Sequence, residues 1–323
     1  GKTLLAQRLS GILPPLGREE SLEVTLVHSV AGLLRPGSGL VRARPFRAPH
    51  HTVSGPGLVG GGAVPRPGEV SLAHGGVLFL DEMPEFRAQV LNLLRQPLEE
   101  GTVRVVRVGR TVSFPCRFML VGAMNPCPCG FLGHPRKPCK CTPRQVQLYR
   151  ARLSGPLLDR IDMHVEVPAV TARELLHPPR GLEHASRDGA GSPGKRDRTS
   201  REDAGSPGRP EGHTPSTPSG ADSVTIRQRV EAARAIQLRR CEGRLRVRAN
   251  ADMGLAELDA YCRLDLESTA LLQKAVESFS LSARAAHRCL RVARTIADLT
   301  GAADIALEHV AEAVQYQILE RRG

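Results

Sequence analysis

The 323-residue chain has no tryptophan, and aromatic residues make up only 3% of it. That scarcity excludes a broad aromatic platform on which single-stranded bases stack. No apolar run reaches the roughly 20 residues of a membrane span, and the first residues do not resemble a secretory signal. The sequence therefore reads as cytoplasmic, with no membrane partner. It has no initiating methionine and opens on Gly-Lys-Thr, which reads as a fragment of something longer. Acid is in deficit, with 33 Asp and Glu against 45 Lys and Arg. The eight cysteines, in a cytosolic setting, do not read as a disulfide framework.

What is present suffices for a folded protein of two domains: hydrophobic residues are 41% of the chain. The positive charge is uneven. Residues 1–170 carry 21 basic against 12 acidic side chains, residues 171–222 carry 8 of each, and residues 223–323 carry 16 against 13. A basic surplus concentrated in the first segment fits a polyanion such as nucleic acid or nucleotide. The bland alternative is a solvated, arginine-rich surface. From residue 170 to residue 222 the chain is rich in Gly, Ser, Pro and balanced charge, and "AGSP" occurs twice. Such a segment cannot offset its ordering entropy by burial, so it reads as a disordered linker or insert. It divides a segment at 1–169 from one at 223–323.

The first segment alternates strand-like and helix-like runs, the pattern of an α/β fold with a parallel sheet. "GVLFLDE" (Gly76–Glu82) reads as a buried parallel strand ending in two acids, and "RFMLVGAMNP" (Arg117–Pro126) as a second strand. "VRVVRVGRTVSF" (Val103–Phe114) reads as a β-hairpin around Gly109. The last segment carries four helical stripes. Ser282, or Ser280 just before it, is a plausible cap for the third of these, and Gly301 its stop.

ATP hydrolysis needs a lysine at the phosphates, a hydroxyl and a carboxylate for Mg²⁺, and a group that activates water. Gly1, Lys2 and Thr3 open a helix, where the dipole favours phosphate. Asp81 at a strand end suits Mg²⁺, Glu82 the attacking water, and Asn125 the γ-phosphate side. Alone, the Asp-Glu pair also fits the start of a helix.

The strings "RPFRAPHHTVSGPGLVGGGAVPRPGEVSLAHGGVLFLDEMPEF", "GAMNPCPCG", "SGPLLDRIDMHVEVP" and "LSARAAHRCLRVARTIADL" resemble the magnesium-chelatase-like AAA+ ATPases of the YifB/ComM family. The resemblance covers everything but the low-complexity segment. It implies an αβα nucleotide-binding core, an all-helical lid and a homo-oligomeric ring of six subunits. By position, Lys2 and Thr3 match the surviving part of Walker A, Asp81 and Glu82 match Walker B, and Asn125 matches sensor 1. Arg160 matches the finger arginine that reaches a neighbouring subunit, and Arg284 matches the sensor 2 arginine of the lid. On the residues alone, Arg160 also fits a surface ion pair with Asp159 or Asp162, and Arg284 a solvated helix position. The family's amino-terminal domain and the leading glycine of Walker A are not in this sequence, which puts ATP binding by the chain as it stands in doubt. Members of the ComM type are associated with branch migration during natural transformation, so the resemblance implies a DNA translocase. Two rivals stay open: a chelatase-like ATPase that remodels a protein partner, and a non-enzymatic binding module.

Cys127, Cys129, Cys139 and Cys141 form a C-x-C-x9-C-x-C pattern in a turn-rich segment, with His134 as a spare ligand. Four thiolates suit Zn²⁺, and free or redox-active thiols are the alternative. Cys116, Cys241, Cys262 and Cys289 are scattered and read as packing residues. Arg104, Arg107 and Arg110 lie on the hairpin, which resembles the pore hairpin of MCM-type helicases and would grip a DNA backbone in a ring. A cationic edge that blocks aggregation is the other reading. His50 and His51 read as part of a functional loop rather than a metal site.

Overall fold

Four apolar residues in a row, Val77–Leu80, form a strand buried on both faces. In this computed structural model, which describes residues 2–62, 64–107, 110–134, 136–167, 222–242 and 247–318, that strand is the middle of a parallel three-stranded sheet. In chain order the strands are β1 (Phe46–Arg47), β2 (Gly60–Gly61), β3 (Arg66–Pro67), β4 (Val77–Leu80), β5 (Thr102–Arg107), β6 (Arg110–Pro115) and β7 (Met119–Gly122). The sheet order is β1-β4-β7, with Phe46 opposite Val77 and Leu80 opposite Gly122. The segment 170–222 lies outside the described residues, except Asp222.

A parallel sheet needs cover on both faces, and the period of two sends alternate side chains of β4 to different layers. Phe79 packs with Ala6 of helix α1 (Lys2–Ile12) and with Ala123, against Phe46 and Val121. Leu78 and Leu80 join the larger core with Leu58, Val70, Phe86, Leu94, Phe114 and Leu157. The entry to β4 is tight: a Cβ on Gly76 would lie 1.9 Å from the Pro45 carbonyl oxygen, so only glycine fits there. The intervening helices are α2 (Arg18–Val30), α3 (Gly55–Val59), α4 (Glu69–Leu72), α5 (Ala88–Asn92), α6 (Arg95–Glu100), α7 (Pro143–Arg150) and α8 (Gly155–Leu158).

The hairpin forms where expected, from β5 and β6, with Val103 opposite Phe114 and Arg107 opposite Arg110. Val103, Val105 and Phe114 are buried in the core, while Arg104 is exposed. Gly109 and the side chains of Arg107 and Arg110 lie outside the described residues.

The last segment is helical: α9 (Ser223–Arg240), α10 (Leu255–Tyr261), α11 (Leu266–Phe279), α12 (Ala283–Thr300) and α13 (Leu307–Ile318). Ser282 caps α12 by accepting from the Ala285 N–H, and Gly301 ends it at φ 75°. A buried polar knot fixes the packing. The Asp298 carboxylate accepts from Arg294 Nε at 3.0 Å, Arg240 Nη1 at 3.0 Å and Asn250 Nδ2 at 2.8 Å. Burial raises the Asp298 pKa, but the hydrogen bonds from Arg240 and Asn250 and the neighbouring guanidinium charges outweigh it and hold the group below the ordinary carboxylate value.

Candidate nucleotide site

Strands of a parallel sheet deliver their C-terminal ends to one edge, where ligands bind in open α/β sheets. Asp81 follows β4 directly, and Asn125 lies three residues past β7. The ladder continues beyond both strands: Ala123 N–H donates to Leu80 O at 2.9 Å, and Met83 N–H to Ala123 O at 2.9 Å. These bonds fix the two strand ends side by side.

Helix α1 closes the site. Lys2 Nζ donates to Asn125 Oδ1 at 2.7 Å and to Met124 O at 2.6 Å. Thr3 Oγ1 donates to Asp81 Oδ2 at 2.7 Å. The other Asp81 oxygen accepts the Glu82 N–H at 3.0 Å. Glu82 sits at φ 50° and ψ 45°, in the left-handed region. A non-glycine residue there costs roughly 1–2 kcal/mol, and such strain concentrates at functional sites. Glu82 precedes a single 3₁₀ turn, Met83–Glu85, so the Asp-Glu pair both ends the strand and begins a turn. Gly1 lies outside the described residues.

A cleft of about 300 Å³ opens beside these groups, lined by Thr3, Phe46, His50, His51, Asp81 and Glu82 among others. His50 bonds Thr52 Oγ1 through Nδ1 at 2.9 Å, and its ring lies 4.0 Å from that of His51. The sequence reading did not place these histidines at the nucleotide residues. The available signal is topological: they follow β1, which runs parallel to β4 and so ends at the same edge.

The profile of "Magnesium chelatase, subunit ChlI" matches residues 1–175, and that of "Magnesium chelatase, subunit ChlI C-terminal" matches residues 220–317. The chain is 40% identical over 323 residues to "Competence protein ComM" of Haemophilus influenzae, covering 99% of this chain and 54% of that protein. It is 39% identical over 324 residues to "Uncharacterized protein YifB" of Salmonella typhimurium, with the same coverage. The chain belongs to the magnesium-chelatase-like YifB/ComM family. A weaker likeness, 28% over 109 residues, links it to "Magnesium-chelatase subunit ChlI, chloroplastic" of Oryza sativa, covering 34% of this chain and 21% of that one. The chain spans about half the length of the YifB and ComM relatives it matches. Among the described residues no helix is long and apolar enough to cross a membrane.

The two arginines that the resemblance singles out lie together, but not with Lys2 and Asp81. Arg160 donates to Glu99 Oε1 and to the Pro156 carbonyl, with its side chain 13% exposed and its Nε buried without a partner. Arg284 Nη1 lies 3.7 Å from the same Glu99 oxygen and is 69% exposed. Its reading as a solvated helix position survives in part. The neighbouring acids offered as partners for Arg160, Asp159 and Asp162, are not its partners; Glu99, on α6, is. Desolvation raises the Asp162 pKa against the lowering charges of Arg288 and Arg291.

The backbone around Arg160 is tied to the helical segment. Arg288 donates to Asp159 O, Gln317 Nε2 to Asp162 O, and His164 N–H to Tyr316 O at 2.9 Å. Arg288 and Gln317 also bond each other at 3.2 Å. None of Glu99, Arg288 or Gln317 has a sequence signal, because each role is a pairing across the fold.

The four cysteines converge. Cys127, Cys129 and Cys139 have Sγ atoms 3.4–3.6 Å apart, and all four sulfurs lie within 4.8 Å of one another. A tetrahedral zinc site with Zn–S near 2.3 Å sets sulfurs about 3.8 Å apart, so the thiols are close to that arrangement. Backbone N–H groups of Leu132 and Cys141 point at Cys127 and Cys139 sulfurs, at 3.3 and 3.4 Å. Backbone N–H groups of Phe131 and Lys140 draw the Cys129 thiol down to about 6. A backbone bond from Cys141 also lowers Cys139, but desolvation and the adjoining sulfurs outweigh it and push that thiol up to about 12. One thiolate thus opposes the next, as crowded like charges do without a cation. His134 instead accepts backbone N–H groups of Arg136 and Lys137. The scattered cysteines, Cys116, Cys241, Cys262 and Cys289, are buried as expected.

Proposed function

We propose that this chain is the ATP-hydrolysing core and helical lid of a Mg²⁺-dependent AAA+ motor that assembles as a hexameric ring and translocates DNA, in branch migration during transformation or recombination. In this reading residues 1–169 are the core, 223–323 the lid and 170–222 the segment between. The carrying observation is the pair of bonds Lys2–Asn125 and Thr3–Asp81. They gather an ammonium, a hydroxyl, a carboxylate and an amide from three elements at the sheet's C-terminal edge.

Thr3 and Asp81 offer the hard oxygen donors that suit Mg²⁺. Bound there, Mg²⁺ would neutralise charge on the phosphate oxygens of ATP. Lys2 adds a second positive charge, and Asn125 orients it. Glu82 stands beside Asp81 with its backbone turned out of the strand, and its carboxylate takes the proton of the attacking water. Arg160 and Arg284 contact none of these groups among the described residues. Both act on the ATP of a neighbouring copy, where their charge compensates the departing phosphoryl group. Exposed Arg104, with Arg107 and Arg110 at the hairpin's closed end, supplies the DNA grip. The four cysteines hold Zn²⁺, which metal analysis of wild type and a Cys139→Ser/Cys141→Ser variant tests.

The function is tested by ATPase assays on the full-length protein. Glu82→Gln should cut turnover by about 10²-fold or more while nucleotide binding persists. DNA should stimulate the wild type, and Arg104→Ala/Arg107→Ala/Arg110→Ala should abolish that stimulation. Hydrolysis without stimulation by any DNA would instead favour remodelling of a protein partner, which the chelatase-subunit likeness supports. Unimpaired function in Glu82→Gln would favour a binding module.

A further inference from the structure

From Pro126 to Leu158 the chain carries Arg136, Lys137, Lys140, Arg144, Arg150 and Arg152, and no aspartate or glutamate. At the chain's overall content of 33 acids in 323 residues, a stretch of this length would hold about three. Arg136, Lys137, Lys140 and Arg144 are exposed, and among the described residues none of the four has an acidic partner. Lys137 lies over the Phe131 ring, 5.2 Å from its centroid.

The fold holds these charges in place. The converging sulfurs of Cys127 and Cys129 at one end and Cys139 and Cys141 at the other close the loop at its base. Arg136 and Lys137 lie in the closed span, Lys140 between the last two cysteines, and Arg144 on the first turn of α7. Between this loop and α7 runs a cleft of about 550 Å³, lined by Cys129, Lys140, Cys141, Gln145, Tyr149 and Arg152 among others. Its single carboxylate, Glu85, is already taken by Arg152 at 2.9 Å.

These cations exceed what the cysteine cluster needs. Four thiolates around one Zn²⁺ carry a net charge of −2. The four unpaired cations outnumber that by two before Arg150 is counted. This surface offers one sign only, so a protein partner would have to bring an equally uniform acidic patch. Uniform cations on an exposed loop match the evenly spaced charge of a nucleic-acid backbone.

We infer that the cysteine-closed loop and the start of α7, through Arg136, Lys137, Lys140 and Arg144, form a second DNA-backbone contact separate from the β5–β6 hairpin. This rests on the reading of the chain as a DNA motor and adds a coupling to it. The loop begins two residues after Asn125, the side chain bonded to Lys2, so a load on the loop is applied next to the phosphate-sensing amide.

The test measures binding of a labelled 40-mer duplex to the full-length protein by fluorescence anisotropy, across a salt series. Arg136→Ala/Lys137→Ala/Arg144→Ala should raise Kd by about tenfold or more. The same variant should reduce the salt slope by about 2–3, because each neutralised phosphate accounts for ~0.9 of that slope. Metal content and DNA-free ATPase should match wild type, which separates the effect from misfolding. Arg136→Lys/Arg144→Lys, which keeps the charges, should bind like wild type. An unchanged Kd and slope in the alanine variant, with weakened binding in the hairpin variant, would overturn the second contact and leave the motor intact. Wild-type protein that binds no DNA would overturn both.

Discussion

Removing the Asp298 carboxylate should unfasten the helical segment. Asp298→Ala leaves Arg294, 2% exposed, and Arg240, 14% exposed, without the anion they share. Deleting one partner of a buried ion pair costs about 3–5 kcal/mol, because the stranded charge keeps its desolvation penalty. Arg294 also donates to the Ala302 and Ala303 carbonyls at 2.7 and 2.8 Å, which tempers its share and favours the lower end. At 4–8 °C per kcal/mol for a unit of 60–100 residues, a loss of about 3 kcal/mol lowers Tm by roughly 12–24 °C. Thermal and urea unfolding followed by far-UV circular dichroism measures this directly. The folded pKa of Asp298 is depressed, so its stabilisation is fully present above the unfolded value of about 3.9 and is lost as pH falls toward the folded value. Asp298→Asn should therefore flatten the acid limb of the stability profile. A loss below about 1 kcal/mol for the alanine variant, or an unaltered acid limb for the asparagine one, would refute the reasoning.

Gly76→Ala places a methyl group against the Pro45 carbonyl and should cost more than about 3 kcal/mol, or abolish soluble expression. Gly130→Ala, with open space around its Cβ, should cost about 1 kcal/mol, from its positive φ alone; parallel melts compare the two. Glu99→Ala releases Arg160 and Arg284 together and should lower kcat on the order of tenfold with KM for ATP little changed, in steady-state assays of the assembled protein. In metal-free protein Cys129 should be alkylated first, its rate rising with pH through about 6, while Cys116, Cys262 and Cys289, pushed up to about 12, 11 and 11 by burial, stay unreacted at neutral pH. Peptide mapping after a brief maleimide pulse reads that order.

Local chemistry carried much of the fold into the sequence. The run Val77–Leu80 is apolar because both faces are covered, and Asp81 ends it because the chain there leaves the sheet for the functional edge. Ser282 and Gly301 bracket α12 through short-range bonds that a linear reading can find. Other features escaped for the opposite reason. Phe46–Arg47 is too short to show any period, yet as β1 it brings His50 and His51 to the cleft. Glu99 sits in an ordinary helix, and its bond to Arg160 spans 61 positions that no local pattern encodes. The nearest acids in sequence were the wrong partners because proximity along the chain is not proximity in space.

The arginine and glutamine ties from the helical segment to the loop after α8 end on main-chain oxygens, Asp159 O and Asp162 O, rather than on side chains. Arg160 stands between those two anchor points. A pivot of the helices would then move this arginine as a tooth on a rigid bar, with little slack in between. Substitutions at 159 or 162 would leave the linkage engaged, whereas losing Arg288 or Gln317 would let it slip. In the ring proposed above, the angle of one subunit's helices would thus bear mechanically on the candidate nucleotide site of the next.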